Sequence, residues 1–223
     1  VRPSRRELDG LDLSHNRTHP VRTHERDPHM KLLLLSLLTL ALPLTASAAK
    51  GDTFKIDAKA SKVTWEGRKL GGSHHGTLAV KGGTLDTVKG ALTGGEVMID
   101  MTTLKDVDLD DKEMNSKLVN HLKSEDFFSI EKNPTSTLKI TKVEMKGPKA
   151  EITADLTIKG ITKPITFPAD VSVDKKHLTA KGSFEVDRTM YDIKFRSLKF
   201  FSNIGDKVIK DQFQIGFDLH ASK

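Results

Sequence analysis

The chain contains no cysteine. That excludes a disulfide framework, a thiol nucleophile, a thiolate metal site and a lipid anchor on a cysteine. A domain made from it is held by its core alone. Aromatic residues amount to 5%, with one tryptophan and one tyrosine. The interleaved rings and clustered basic groups of a nucleic-acid surface are therefore missing, and no nucleic-acid partner is expected. The formal charge of +6 is mild and partly a property of the N-terminal stretch. Residues 1–48 hold seven basic and five acidic groups, which leaves 29 basic and 25 acidic, a net +4, in the remainder. Those lysines are scattered and read as a solvated surface. A membrane-spanning helix needs about 20 apolar residues, whereas the apolar run at residues 32–44 stops at thirteen. No transmembrane segment is expected in residues 49–223. G-x-S-x-G, H-E-x-x-H, P-loop and G-x-G-x-x-G signatures are also absent, so neither an enzyme nor a cofactor is expected.

What is present begins with a leader. Residues 1–29 hold six Arg, four His and three Pro without periodicity. They read as a miscalled or disordered N-terminal extension. Met30 and Lys31 form a short positive segment, residues 32–44 an apolar one, and Ala46, Ser47 and Ala48 an A-x-A cleavage signal. This is the pattern of a secretory signal peptide over residues 30–48, cut near Ala48 and Ala49. A periplasmic or secreted location follows as an expectation, and Met30 is the expected initiator. The mature chain, 49–223, suits one domain with a sizeable core.

The legible centre of that domain is residues 149–173. Ile152, Ala154, Leu156 and Ile158 alternate with polar residues. After Gly160 a second alternation carries Ile165, Phe167, Ala169, Val171 and Val173. Period two sends successive side chains to opposite faces of a strand. The short link around Lys159 and Gly160 joins two such strands as an antiparallel hairpin, with the second strand expected to begin at Pro164. Further strands carry Val63 and Trp65, then Leu78 and Val80, then Val97, Ile99 and Met101. Turns are expected at residues 70–76 and at Gly82 and Gly83. Leu138 and Ile140 run out of phase with Val143 and Met145, which calls for a bulge near Thr141 and Lys142. Leu178, Ala180, Phe184 and Val186 mark another strand, residues 191–195 a shorter one, and Phe213, Ile215, Phe217 and Leu219 the last. Between them Met114, Leu118 and Leu122 recur at helical spacing, with Asp110 or Asp111 placed to cap a helix over 112–122. Phe127 and Phe128 should plug this helix against the sheet. About eight short antiparallel strands imply a sandwich or an up-and-down barrel. An eight-stranded barrel is wide enough to be filled by side chains or to hold one small ligand.

Several stretches carry a more specific likeness. They are WEGRKLGGSHHGTL (65–78), HLKSEDFF (121–128), LTIKGITKPITFP (156–168), VDRTMYDIKF (186–195) and FFSNIGDKVIKDQFQI (200–215). Together they resemble the YceI-like family of exported, lipocalin-like proteins. Ala60 before Ser61 and Asp192 depart from the usual pattern, where His and Gly are common. The resemblance implies an all-β, antiparallel eight-stranded lipocalin-like barrel with one short α-helix. It also implies a tunnel for a polyisoprenoid or similar long amphiphile, in place of a cofactor. An isoprenoid quinone-like lipid is then the expected partner, and the oligomeric state stays open.

On that reading the lumen is lined by Trp65, Val97, Ile99, Leu138, Ile140 and Leu156, and by Ile158, Phe167, Phe184, Phe213, Ile215 and Phe217. His75 and Arg188 are head-group candidates, the latter because a guanidinium fork suits phosphate or quinone oxygens. Arg188 could equally pair with a carboxylate and pin a strand end. His74 and His75, adjacent on a strand, point to opposite faces and do not readily share an ion. An EF-hand register from Asp106 would need Gly and Glu where Asp111 and Lys117 stand. No metal is expected. The alternatives are a packed, lumen-free structural or stress-related module and, further off, a secreted enzyme without a recognisable motif.

Overall fold

The computed structural model describes residues 51–223. The N-terminal extension, the signal peptide and its cleavage point lie outside the described residues. Nine strands and one helix follow in order: β1 (Gly51–Ile56), β2 (Lys62–Lys69), β3 (Gly72–Val88), β4 (Ala91–Asp106), α1 (Lys112–Lys123), β5 (Thr135–Lys146), β6 (Lys149–Ile158), β7 (Ile161–Val173), β8 (His177–Asp187) and β9 (Ile209–Ser222). All pairings are antiparallel. The sheet runs β1-β3-β2-β9-β8-β7-β6-β5-β4 and closes through β3 and β4. β1 and β2 each pair with β3 on one side and β9 on the other, so they act as one stave interrupted at residues 57–61. The result is an eight-stave barrel closed by continuous pairing at one end, while residues 161–168 of β7 have no partner on their β8 side. No helix among the described residues is long and apolar enough to cross a membrane.

The central hairpin forms as its alternation requires. Lys159 and Gly160 make the two-residue turn, both at positive φ (52° and 74°), the backbone of a type I′ turn whose twist matches the strands. Ile152, Ala154, Leu156 and Ile158 are all buried. β7 starts at Ile161 rather than at Pro164. In a two-residue hairpin the pair flanking the turn is hydrogen-bonded and the pairs alternate from there. Ile158 faces Ile161, so Pro164 opposite Asp155 and Pro168 opposite Glu151 fall in non-bonded pairs. Their missing N–H would point toward β8, whose pairing with β7 begins only at Ala169. Neither proline therefore costs a ladder bond. The slip expected near Thr141 is present, between Ile140 and Lys142.

Three expected features differ. Gly82 and Gly83 do not turn the chain; they lie inside β3 at φ 149° and 142°, where the β3–β4 register slips between Val80 and Gly82. A Cβ on Gly83 would lie 2.0 Å from the Glu96 carbonyl oxygen, so glycine there lets the long strand bend against β4. The turn itself is Lys89 and Gly90. The turn expected over 70–76 is only Leu70 and Gly71, and His74 and His75 belong to β3. Residues 191–195 are not a strand. A 3-10 helix, Arg188–Tyr191, is capped by the Asp187 carboxylate accepting from Thr189 N and ends with Asp192 in the left-handed region.

Helix α1 is capped by Asp111, whose carboxylate accepts from Met114 N at 2.9 Å. None of its residues is fully buried. Leu118, His121 and Leu122 face the barrel interior, and Phe127 and Phe128 follow them inward. At one end of the barrel Phe54, Leu85, Leu92 and Leu178 are each no more than 2% exposed. Each such side chain stabilises the fold by about 1.5–3 kcal/mol relative to exposure.

Candidate functional site

The barrel is not packed solid. It encloses a cavity of about 660 Å³, inside the range of about 300–1,000 Å³ typical of small-molecule sites. Its deep end is formed by Leu85, Leu92, Ile152, Phe167, Ala180 and Leu219. All twelve residues expected at a lumen lie on its wall. Ile99, Leu138, Phe184, Phe213, Ile215 and Phe217 point inward yet remain only partly buried, because each packs on neighbouring side chains on one side and faces the open bore on the other. Phe167 and Phe184 stack at 4.6 Å between centroids, with Phe217 edge-on to Phe167 at 5.7 Å. The lumen-free alternative does not fit this interior.

The other end of the cavity is polar. There β2 pairs with the start of β9, Gly67 opposite Phe213 and Lys69 opposite Ile209. The segment between Asp192 and Ile209 folds across them. Leu70 N donates to Val208 O (3.1 Å) and Ile209 N to Arg196 O (3.1 Å). Arg68, Lys69, Arg196, Asp206, Lys207 and Lys210 line the cavity at this mouth, with His74 and His121. The His121 ring meets Phe127 and Phe195 edge-on at 4.9 and 4.6 Å, so helix and mouth segment pack on each other.

Arg188 also reaches the cavity wall but is only 3% exposed. Its Nε donates to Lys210 O at 3.0 Å, one terminal nitrogen to Ile193 O at 2.8 Å and the other to Ile209 O at 3.0 Å. Asp211 lies 3.5 Å away as counter-ion. Burial lowers the Arg188 pKa, and Asp211 and Asp187 partly restore it. Every branch of the fork is thus engaged by backbone, and the side chain pins the mouth segment to β9.

His75 does not line the cavity. Its side chain is 58% exposed, and its backbone N–H donates to Asp108 Oδ1 at 2.9 Å. The inward histidine is its neighbour His74, which shares parity with Leu78 and Val80 on β3. That parity was the signal available for choosing between the two. His74 Nδ1 lies 3.0 Å from Asp108 Oδ2. Burial pushes the Asp108 carboxyl up, but the His75 N–H, Asp106 and His74 outweigh it and hold it at about 2. Asp106 is 7% exposed. Burial, then the adjacent Asp108, push its pKa up. One of its oxygens accepts from Leu109 N and Asn115 Nδ2, and the other has no partner. Ligand atoms of His74, Asp106 and Asp108 lie within 4.8 Å of one another, the one such group among the described residues.

The arrangement is therefore a closed barrel with an apolar bore and a single charged end. The YceI-like domain matches residues 54–221. A UPF0312 protein of Pseudomonas aeruginosa (strain LESB58) is 49% identical over 49 residues, a stretch that spans 22% of this chain and only 26% of that protein. Protein YceI of Escherichia coli O157:H7 is 32% identical over 143 residues, 63% of this chain and 72% of that one. Among solved structures, Burkholderia cenocepacia BcnA superposes with a TM-score of 0.56 at 22% identity, covering 74% of this chain and 99% of that one. A polyisoprenoid binding domain from Saccharophagus degradans, implicated in plant cell wall breakdown, gives 0.53 at 12% identity, with 76% and 97% covered.

Proposed function

The chain belongs to the YceI-like family, and from that premise we propose that it is an exported carrier. In this reading it encloses the tail of a polyisoprenoid or a similarly long amphiphile inside the barrel. The observation that carries the proposal is the cavity: about 660 Å³, walled by Val, Ile, Leu and Phe side chains, with charge confined to one end. Burying a hydrocarbon tail there stabilises the complex by about 0.8 kcal/mol per methylene, before the cost of ordering the tail. The name of the Saccharophagus neighbour supports this choice of ligand class, and the leader pattern in residues 30–48 supports export. The bore supplies apolar contact rather than an aligned nucleophile and base, so the role proposed is binding without turnover.

Solvent extraction of the protein purified from the cells that make it, followed by mass spectrometry, tests the reading. One long-chain amphiphile, near one copy per protein chain, is expected. Protein that is folded and consistently free of any such molecule counts against it.

A further inference from the structure

The mouth carries an imbalance of charge. Six cationic residues line the cavity there, Arg68, Lys69, Arg188, Arg196, Lys207 and Lys210, against one acidic residue, Asp206. Two of the six are already spent. Arg68 pairs with Glu66 at 2.8 Å and Glu185 at 3.4 Å, and Arg188 is consumed by three backbone carbonyls. Among the described residues no carboxylate lies within 4.0 Å of Lys69, Arg196, Lys207 or Lys210. Three of them, Lys69, Arg196 and Lys210, are also tied to one another through the backbone at Ile209. Arg196 O accepts from Ile209 N, Lys69 sits opposite Ile209, and Arg188 grips Ile209 O and Lys210 O. Arg196 is further oriented over the Phe195 ring at 5.1 Å. Elsewhere the lining residues that carry a polar side-chain atom are Ser136, Thr137 and Trp65, whose Nε1 already donates to Lys105 O.

From this we infer that the site takes amphiphiles with an anionic head group, a carboxylate or a phosphate, in preference to neutral ones. The inference rests on the carrier reading and narrows it. Unpaired cations around a partly enclosed mouth raise the local potential and favour an anion there. A neutral alcohol or quinone of equal tail length can accept a hydrogen bond from them but gains no charge–charge attraction. Guanidinium and ammonium groups are the usual partners of carboxylate and phosphate oxygens. Arg188 enters as a positioning residue, since it fixes the strand that carries Lys210 and touches no ligand itself.

The test compares three probes with one tail, hexadecanoate, hexadecyl phosphate and hexadecanol, delivered from cyclodextrin to delipidated protein at pH 7 and titrated by calorimetry. The expected result is that both anions bind at least about ten-fold more tightly than the alcohol, and that the ratio shrinks as salt is raised, because exposed charges are screened. The triple variant Arg196→Gln, Lys207→Gln, Lys210→Gln is expected to move the anion-to-alcohol ratio toward one. Equal affinity of the wild-type protein for all three probes overturns the head-group inference while leaving the carrier reading in place. Failure of all three to bind overturns both. The wild-type comparison decides the matter even if the variant does not fold.

Discussion

Arg188 shows how far a residue type alone can mislead. A lone arginine near a strand end looks like a ligand for a phosphate, and its type says nothing about where its five N–H groups go. In the fold they go to the carbonyls of Ile193, five residues on, and of Ile209 and Lys210, more than twenty residues on. Arg188→Met keeps the bulk and leaves one buried and two partly buried acceptors short of a donor. Each such loss costs about 1–3 kcal/mol, so unfolding by urea should show a loss of about 3 kcal/mol or more. A change under about 0.5 kcal/mol would remove Arg188 from its role at the mouth. The Asp106 and Asp108 pair makes a second prediction. Asp108 is held at about 2 against an ordinary 3.8. Its contribution is therefore present above pH 3.8 and is lost as pH falls toward 2. Asp106, pushed up from 3.8, acts in the opposite sense and costs stability as pH rises past its ordinary value. Asp106→Asn should raise the melting temperature at pH 7 and have little effect near pH 3. A lower melting temperature at pH 7 would contradict a cost from burying the Asp106 carboxylate.

At the scale of elements, legibility followed periodicity. The β6–β7 hairpin, the β5 bulge and helix α1 were readable because each has a local repeat with a physical cause: alternation, a phase slip, or a four-residue spacing behind an aspartate cap. What was not readable depended on partners distant in sequence. Gly82 and Gly83 look like a turn in isolation. Only the approach of β4, with the Glu96 carbonyl 2.0 Å from a hypothetical Cβ, makes them a bend within one long strand. Gly83→Ala must therefore move β4 as well as strain its own backbone, and a loss of at least about 2 kcal/mol is expected in denaturant unfolding. A neutral substitution would mean that β3 and β4 can separate there without consequence. The segment 196–208 has no repeat at all, which is why Arg196 and Lys207 were missed as wall residues.

At the scale of the whole molecule, alternation identified which side chains point inward but could not say whether they meet. A filled core and a tunnel wall use the same Val, Ile, Leu and Phe. Closure of eight staves around a bore wider than those side chains settles the difference, and it shows in inward residues such as Phe213 and Phe217 that stay half-buried. Phe213 stands near the mouth, edge-on to Phe128 at 6.2 Å. Phe213→Ala should leave the barrel folded and speed release of a bound amphiphile in a competition assay. Release at the wild-type rate would exclude Phe213 as part of the exit.

The central claim is that a hydrocarbon tail occupies the bore. Crystallography of the protein loaded with a long-chain amphiphile measures this directly. The account predicts continuous tail density running from the mouth at Lys210 past Ile215 and Phe217 to Ile152 and Leu219. Density confined to the outer surface, with the bore filled by water or by shifted side chains, would contradict it.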